Sequence, residues 1–185
     1  MERGFLKTQG GFRRLKVFRL TEIICDLSVV FIERYIPAKS RTRDQMEQAA
    51  RSGKQNIAEG SAASTTSRET EIKLTNVAKA SLVELELDYE DYLRQHGLPR
   101  WDKTHPRMLR LREYLRSRRF LDNPLEVADR MNSEEYCNLV ITLINQATYM
   151  LRRLMEAQQQ QFLANGGIRE QMSRARRARF GKDDH

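Results

Sequence analysis

The sequence predicts an all-α chain, an antiparallel up-and-down four-helix bundle with a short basic helical insertion before its fourth helix and a basic C-terminal tail. Three observations predict it. Only 4 Pro and 9 Gly in 185 residues leave long stretches without punctuation. Four segments repeat apolar residues at spacings of three and four, and none alternates as a strand would. Hydrophobic residues make up 39% of the chain against 31% charged, enough for a core when patterned in this way. The expected organisation is a flexible arm over 1–11, the bundle over 12–165 with an insertion at about 98–124, and the tail over 166–185.

Helix one is expected from Phe12 to Tyr35. Val17, Leu20, Ile24, Leu27 and Phe31 form one stripe, and Ile23, Val30 and Ile32 widen it. Pro37 ends it. Helix two is expected from about Thr42, with Asp44 at the positive end of its dipole. Met46, Ala49, Ala50, Gly53 and Ile57 give it a small-residue inner face suited to a close helix crossing, and Gly60 is the expected left-handed stop.

Thr66, three residues before Glu69, fits a capping box opening helix three, which runs to His96 and is closed by Gly97 and Pro99. Leu74, Ala78, Leu82, Leu85, Tyr89 and Tyr92 form its main stripe. Val77, Ala80, Val83 and Leu87 form a second on another side. A helix apolar on two sides has two partners, its own bundle and something else. Leu98 to Pro106 reads as a turn-rich link, followed by one short basic helix around Met108 to Leu115. Helix four starts near Ser133, with Glu134 and Glu135 in its first turn, and Cys137, Val140, Ile141, Ile144, Ala147, Leu151, Leu154 and Met155 on its apolar face. It is expected to fray through the glutamine run 158–161. Ile168, Met172 and Phe180 are spread too thinly to give the tail a core.

The net charge of +8 is unevenly placed. Residues 1–19 carry net +5, residues 100–119 net +6 and residues 166–182 net +5, which leaves −8 for the rest. The bundle is therefore acidic and its appendages basic. Arg13, Arg14, Lys16 and Arg19 form the first cluster. Arg107, Arg110, Arg112, Arg116, Arg118 and Arg119 form the second, and Arg174, Arg176, Arg177 and Arg179 the third. Guanidinium groups suit bidentate phosphate contacts, and basic appendages can release counterions from RNA or DNA. Trp101 and Tyr114 could add base stacking beside the second cluster. The competing reading is that these arginines pair with acids of neighbouring helices or only keep the chain solvated.

Other chemistry is sparse. Glu84, Asp88 and Asp91 share a face of helix three, which suits either a carboxylate metal site or pairing with arginines. Carboxylate metal sites in bundles add Glu-x-x-His pairs, and the histidines here are His96, His105 and His185. Gly53-Lys54 lacks the earlier glycine and preceding strand of a phosphate loop. Cys25 and Cys137 sit in apolar helical patterns as core residues and form no disulfide framework, so a reduced, cytoplasmic setting is expected. No apolar run approaches the ~20 residues a membrane span needs, so no membrane partner is expected. Arg100 and His105 have an Arg-x4-His spacing that resembles the motif of HEPN-type helical ribonucleases, here between Pro99 and Pro106 on a link. No Ser/His/Asp or Cys/His constellation accompanies it, and the sequence assigns no catalytic residue, cofactor or metal.

The tract Gln45 to Gly60, QMEQAARSGKQNIAEG, is specific at Gln55-Asn56-Ile57-Ala58-Glu59-Gly60. Together with KASLVELELDY at Lys79 to Tyr89 and the basic opening at Phe12 to Arg19, it resembles a bacterial helical-bundle family. That family was first described as proteins encoded in intervening sequences of 23S ribosomal RNA genes. Gly53-Lys54 stands where the family often has proline, and the insertion and tail look like its longer form with an added C-terminal suffix. The resemblance implies a ring of copies of the chain, typically five. It also implies kinship with the accessory protein of diversity-generating retroelements, whose basic ring binds a reverse transcriptase and nucleic acid. The function expected is thus a non-enzymatic, ring-forming nucleic-acid binder. The alternative is a protein-interaction scaffold with no nucleic acid, and a HEPN-like ribonuclease is the third reading. Asn56 and Glu59 are expected to hydrogen-bond across the bundle and fix helix register.

Overall fold

The protein is seen here as a computed structural model that describes residues 11–126 and 128–180. It is all-α, with seven α-helices among the described residues: α1 Lys16–Tyr35, α2 Arg41–Ala63, α3 Arg68–Gln95, α4 Pro106–Leu115, α5 Arg118–Asp122, α6 Ser133–Asn165 and α7 Ile168–Phe180. Short 3-10 turns cover Phe12–Arg14 and Ala128–Arg130. Seven helices overturn the four-helix bundle expected from the sequence. The single insertion helix is two, α4 and α5, split where Arg116 caps α4 and the Ser117 hydroxyl accepts from Phe120 N at 3.3 Å to open α5. The expected basic tail is helical as well. Residues 168–180 hold no Gly or Pro and are rich in Arg, Ala, Gln, Glu and Met, which favour helix without needing a core. The expected arm lies outside the described residues except for Gly11.

Boundaries moved for identifiable reasons. Leu15 is extended (φ −72°, ψ 121°), so the expected helix one breaks into the Phe12–Arg14 turn and α1. Ser40 caps α2, its hydroxyl accepting from Thr42 N at 3.2 Å. Ser67 rather than Thr66 caps α3, accepting from Thr70 N at 3.2 Å. Asn132 and Glu135 form a reciprocal capping box at the start of α6. Gly97, at φ +64°, closes α3 in the left-handed conformation, and Leu98 N bonds back to Leu93 O at 2.8 Å. Gly60 is no such stop, because α2 continues to Ala63. Nor does the glutamine run fray. Gln158 is buried and donates to Glu71 Oε1 at 3.1 Å and Thr75 Oγ1 at 3.3 Å, holding α6 against the start of α3.

The core lies where α1 and α3 each pack against both α2 and α6, and the α2–α3 contact is the most extensive. Gly53 sets that contact. A Cβ there would lie 2.8 Å from Leu82 Cδ2 and 3.7 Å from Ala78 O, so the glycine admits α3 at close range. Gly53→Val should cost about 1–3 kcal/mol by overpacking, read as a lower urea midpoint at unchanged slope. An unchanged midpoint would show that the two helices separate freely.

At the far end of the core an aromatic cluster closes the helices. Phe31 packs its ring at 4.8 Å from Tyr89, 5.0 Å from Tyr92, 5.1 Å from Tyr35 and 5.4 Å from Tyr136. The buried hydroxyls find partners: Tyr136 donates to Leu27 O at 2.8 Å and Tyr89 to Ser28 Oγ at 3.0 Å.

This cluster joins the C-terminal end of α1 to the N-terminal end of α6, so the two helices run antiparallel. It thereby defines one pole of the body, where Tyr35 also bonds Met131 O at 2.9 Å and Arg34 pairs with Asp129 at 2.9 Å. The opposite pole holds the start of α1, the end of α2, the start of α3 and the end of α6. α1 alone, at 20 residues, separates the poles by about 30 Å.

Candidate nucleic-acid interface

The structure divides the three basic clusters between the poles. Arg13, Arg14, Lys16 and Arg19 stand exposed at the start of α1, and α7 leaves the end of α6 at that same pole carrying exposed Arg174, Arg176 and Arg177. Arg179 belongs to α7 by its backbone. Arg107, Arg110, Arg112, Arg116, Arg118 and Arg119 lie on α4 and α5 at the opposite pole, beside the start of α6. The first and third clusters are thus brought to one end, and the second is not brought to them.

Ion pairing separates these arginines from the rest. Arg107 meets Glu134 at 3.5 Å, and Arg119 pairs with Glu126, whose carboxyl is thereby held below its usual range. Arg110, Arg116 and Arg118 are exposed and Arg112 half-buried, with no ion pair among the described residues. Acids of the body are matched mainly by arginines outside the clusters. Arg100 bonds Glu90 and lies 3.1 Å from Glu86, and Arg94 lies 2.8 Å from Asp91.

Trp101 does not provide a stacking surface. It is 7% exposed. His105 stacks on its ring at 5.2 Å and the Arg107 guanidinium lies 5.7 Å from the centroid. Its Nε1 donates to Glu134 Oε1 at 2.7 Å, and its backbone N–H to Asn138 Oδ1 at 2.8 Å. Trp101 therefore rivets the link after α3 onto α6. Tyr114 is half-buried, edge-on to Phe120 at 5.6 Å, and lines an open pocket of about 540 Å³ with Trp101, Arg107, Arg110, Leu111, Arg130, Met131 and Glu135. Arg130 was not legible in the sequence, where it is an isolated arginine before α6. Only the fold brings it opposite α4.

The remaining sequence candidates are placed as follows. Arg100 is held by the α3 carboxylates, while His105 caps α4 by accepting from Arg107 N at 3.2 Å on Nδ1. The two side chains of the Arg-x4-His spacing thus answer to different neighbours. Among the described residues no group of three His, Cys, Asp or Glu is placed to hold a metal ion. Cys137 is buried and Cys25 half-buried; both thiols are free and both are pushed up by burial. Asn56 donates to Ser52 O at 2.9 Å and Ser52 Oγ at 3.0 Å, and Ser52 Oγ lies 2.9 Å from Ser81 Oγ of α3. Its link across the helices is therefore relayed by Ser52. Glu59 is exposed and makes no such bond among the described residues. No described helix is long and apolar enough to cross a membrane.

Asp88 carries a pH signature. It is half-buried on α3, between Glu84 and Asp91 of its own helix and Asp44 and Arg41 of α2, with His96 at the end of the neighbouring pocket. Desolvation first, then Asp91 and Glu84, push its carboxyl from 3.8 up to about 6. The folded state therefore holds this proton more tightly than the unfolded chain does. The stability so gained is complete below about pH 4 and is lost as pH rises through 6. Asp88→Asn should stabilise the fold at pH 7.5 by no more than about 1–2 kcal/mol after solvent screening, read as a higher melting temperature, and leave it unchanged at pH 4. Equal effects at both pH values would locate the strain elsewhere.

No family model matches the chain, and neither a curated protein nor a solved structure matches it significantly.

Proposed function

We propose that this chain is a non-enzymatic nucleic-acid-binding protein of the cytoplasm that grips phosphate backbones with arginines presented at both poles. The observation that carries the reading is the set Arg110, Arg112, Arg116 and Arg118, which makes no ion pair among the described residues while acids of the body find arginines elsewhere. Unmatched guanidinium groups on the outer side of short helices reach phosphates without reshaping the core. The exposed Arg176 and Arg177 of α7 add a second basic surface. The free thiols agree with a reducing setting. Assembly of copies into a ring and service to a reverse transcriptase belong to the proposal through the family resemblance alone.

Fluorescence anisotropy of labelled RNA and DNA oligomers at low and high salt tests it. Affinity should fall steeply with salt and weaken when residues 168–185 are removed. No binding at low salt would end the reading.

One observation favours a second reading, the protein-interaction scaffold. On α3 the outer stripe of Val77, Ala80, Val83 and Leu87 is exposed, Leu87 to 55%. Such a face suits a protein partner or another copy of the chain. Sedimentation of the wild type against Leu87→Lys would show whether the stripe joins copies.

A further inference from the structure

We propose that the pocket between α4 and the start of α6 is a binding site for a single nucleoside monophosphate unit, with its phosphate on Arg110 and Arg130 and its base against Tyr114 and Leu111. The inference rests on the nucleic-acid reading and sharpens it, because it names one unstacked nucleotide where that reading needs only a phosphate backbone.

Four features of the site point to this ligand. On α4, Arg110 and Leu111 lie three and four residues after Arg107 and four and three before Tyr114, so the four share one face, with the Cβ atoms of those pairs about 5–6 Å apart. Arg130 and Met131 approach from the opposite wall, just before α6. The volume of about 540 Å³ falls within the roughly 300–1,000 Å³ of small-molecule sites. Its lining alternates guanidinium groups with apolar and aromatic surface, the combination that a phosphate joined to a base requires.

Charge inside the pocket agrees. Glu135, its one lining carboxylate, turns Oε2 to the Asn132 backbone N–H at 3.3 Å as part of the α6 cap. Arg107 is already engaged by Glu134 and Trp101. Arg110 and Arg130 make no ion pair among the described residues and are exposed, so they are the groups available to an anion. A base stacked inside a duplex cannot enter such a pocket, whereas an unpaired base of a single strand or a free nucleotide can.

The molecule carries its own reporter. Trp101 is the only tryptophan and lines the pocket beneath Arg107. An anion seated on Arg110 and Arg130 alters the electrostatic surroundings of that ring and so its emission. Titration of the full chain with adenosine monophosphate, inorganic phosphate and an eight-residue single-stranded oligoadenylate should give saturable emission changes, and a duplex serves as the control. The oligoadenylate and the monophosphate should act at least tenfold more tightly than phosphate, and the duplex should leave Trp101 unmoved. Arg110→Ala, a surface change, should weaken the monophosphate at least tenfold, and Tyr114→Leu should weaken it while sparing phosphate.

Response to the oligoadenylate without response to the free monophosphate still supports the site and places its ligand within a strand. Equal response to phosphate and monophosphate would overturn the base contact, and with it the proposal. If labelled oligomers bind by anisotropy while Trp101 emission is constant, the pocket proposal falls and the backbone reading stands. If the monophosphate moves Trp101 but no oligomer binds at low salt, the reverse holds.

Discussion

Phe31→Ala should lower the unfolding free energy by about 3–5 kcal/mol, a large share of the 5–15 kcal/mol that holds a domain of this kind together. The ring is fully buried at the pole where α1, α3 and α6 converge, and four tyrosine rings lie within 5.4 Å of its centroid. Truncation opens a cavity that none of them can fill without giving up its own place. Tyr89 is tied to Ser28 and Tyr136 to Leu27 O, both on α1, so collapse into the space would strain those bonds. Thermal or urea unfolding followed by helical circular dichroism measures the loss. A change under 1 kcal/mol would mean that the cluster is loose and the pole can repack.

Phe31→Leu separates packing from aromatic geometry. It keeps most of the volume and should recover more than half of the loss, leaving roughly the 0.5–1.5 kcal/mol assigned to each ring pair. The same substitution bears on function, because this pole holds the link to α4. A loosened cluster would free Tyr35 from Met131 O and disturb the wall on which Arg130 stands.

Helix existence was legible in the sequence wherever apolar residues recur within one segment. α1, α2, α3 and the first half of α6 follow directly from such stripes. What could not be read depended on contacts distant in sequence. The glutamine run 158–161 looks like a frayed end until Gln158 reaches Glu71 and Thr75, more than 80 residues away. Gly60 reads as a terminator because glycine most often ends helices, yet here its missing side chain admits α3: a Cβ would lie 3.3 Å from Glu71 O and Leu74 Cβ. α7 shows the opposite failing, a helix with propensity but no stripe, which a search for a buried face passes over.

The site was legible in its charges and illegible in its geometry. Local clustering found the arginines of α4, α5 and α7. It could not show that Trp101 is sealed between His105 and Arg107, since a tryptophan beside arginines has the same appearance whether buried or offered to solvent. Arg130 was missed for the same reason, being near α4 only in space.

The separation of the clusters carries the last prediction: the two poles act as independent sites. They stand about 30 Å apart along α1. The Debye length at physiological salt is about 8 Å, so charges at one pole are screened from a ligand at the other. The intervening body is acidic and repels a strand laid along it. An eight-nucleotide strand stacked at the duplex rise of about 3.4 Å per nucleotide is about 27 Å long, short of the distance between the poles, and should therefore bind with a stoichiometry of two per chain. Replacing Arg110, Arg112, Arg116 and Arg118 together by alanine should remove one of these sites. At that pole the loss is about 10²–10³-fold at 0.1 M salt, with the logarithmic salt slope reduced by about 3. The site formed by the start of α1 and α7 should keep its affinity, because changes so far apart do not couple. Calorimetric titration of both proteins reads stoichiometry and affinity together. A single site per chain in the wild type, weakened by substitutions at either pole, would mean that the strand wraps the body and that its acidic surface is not the barrier its charge implies.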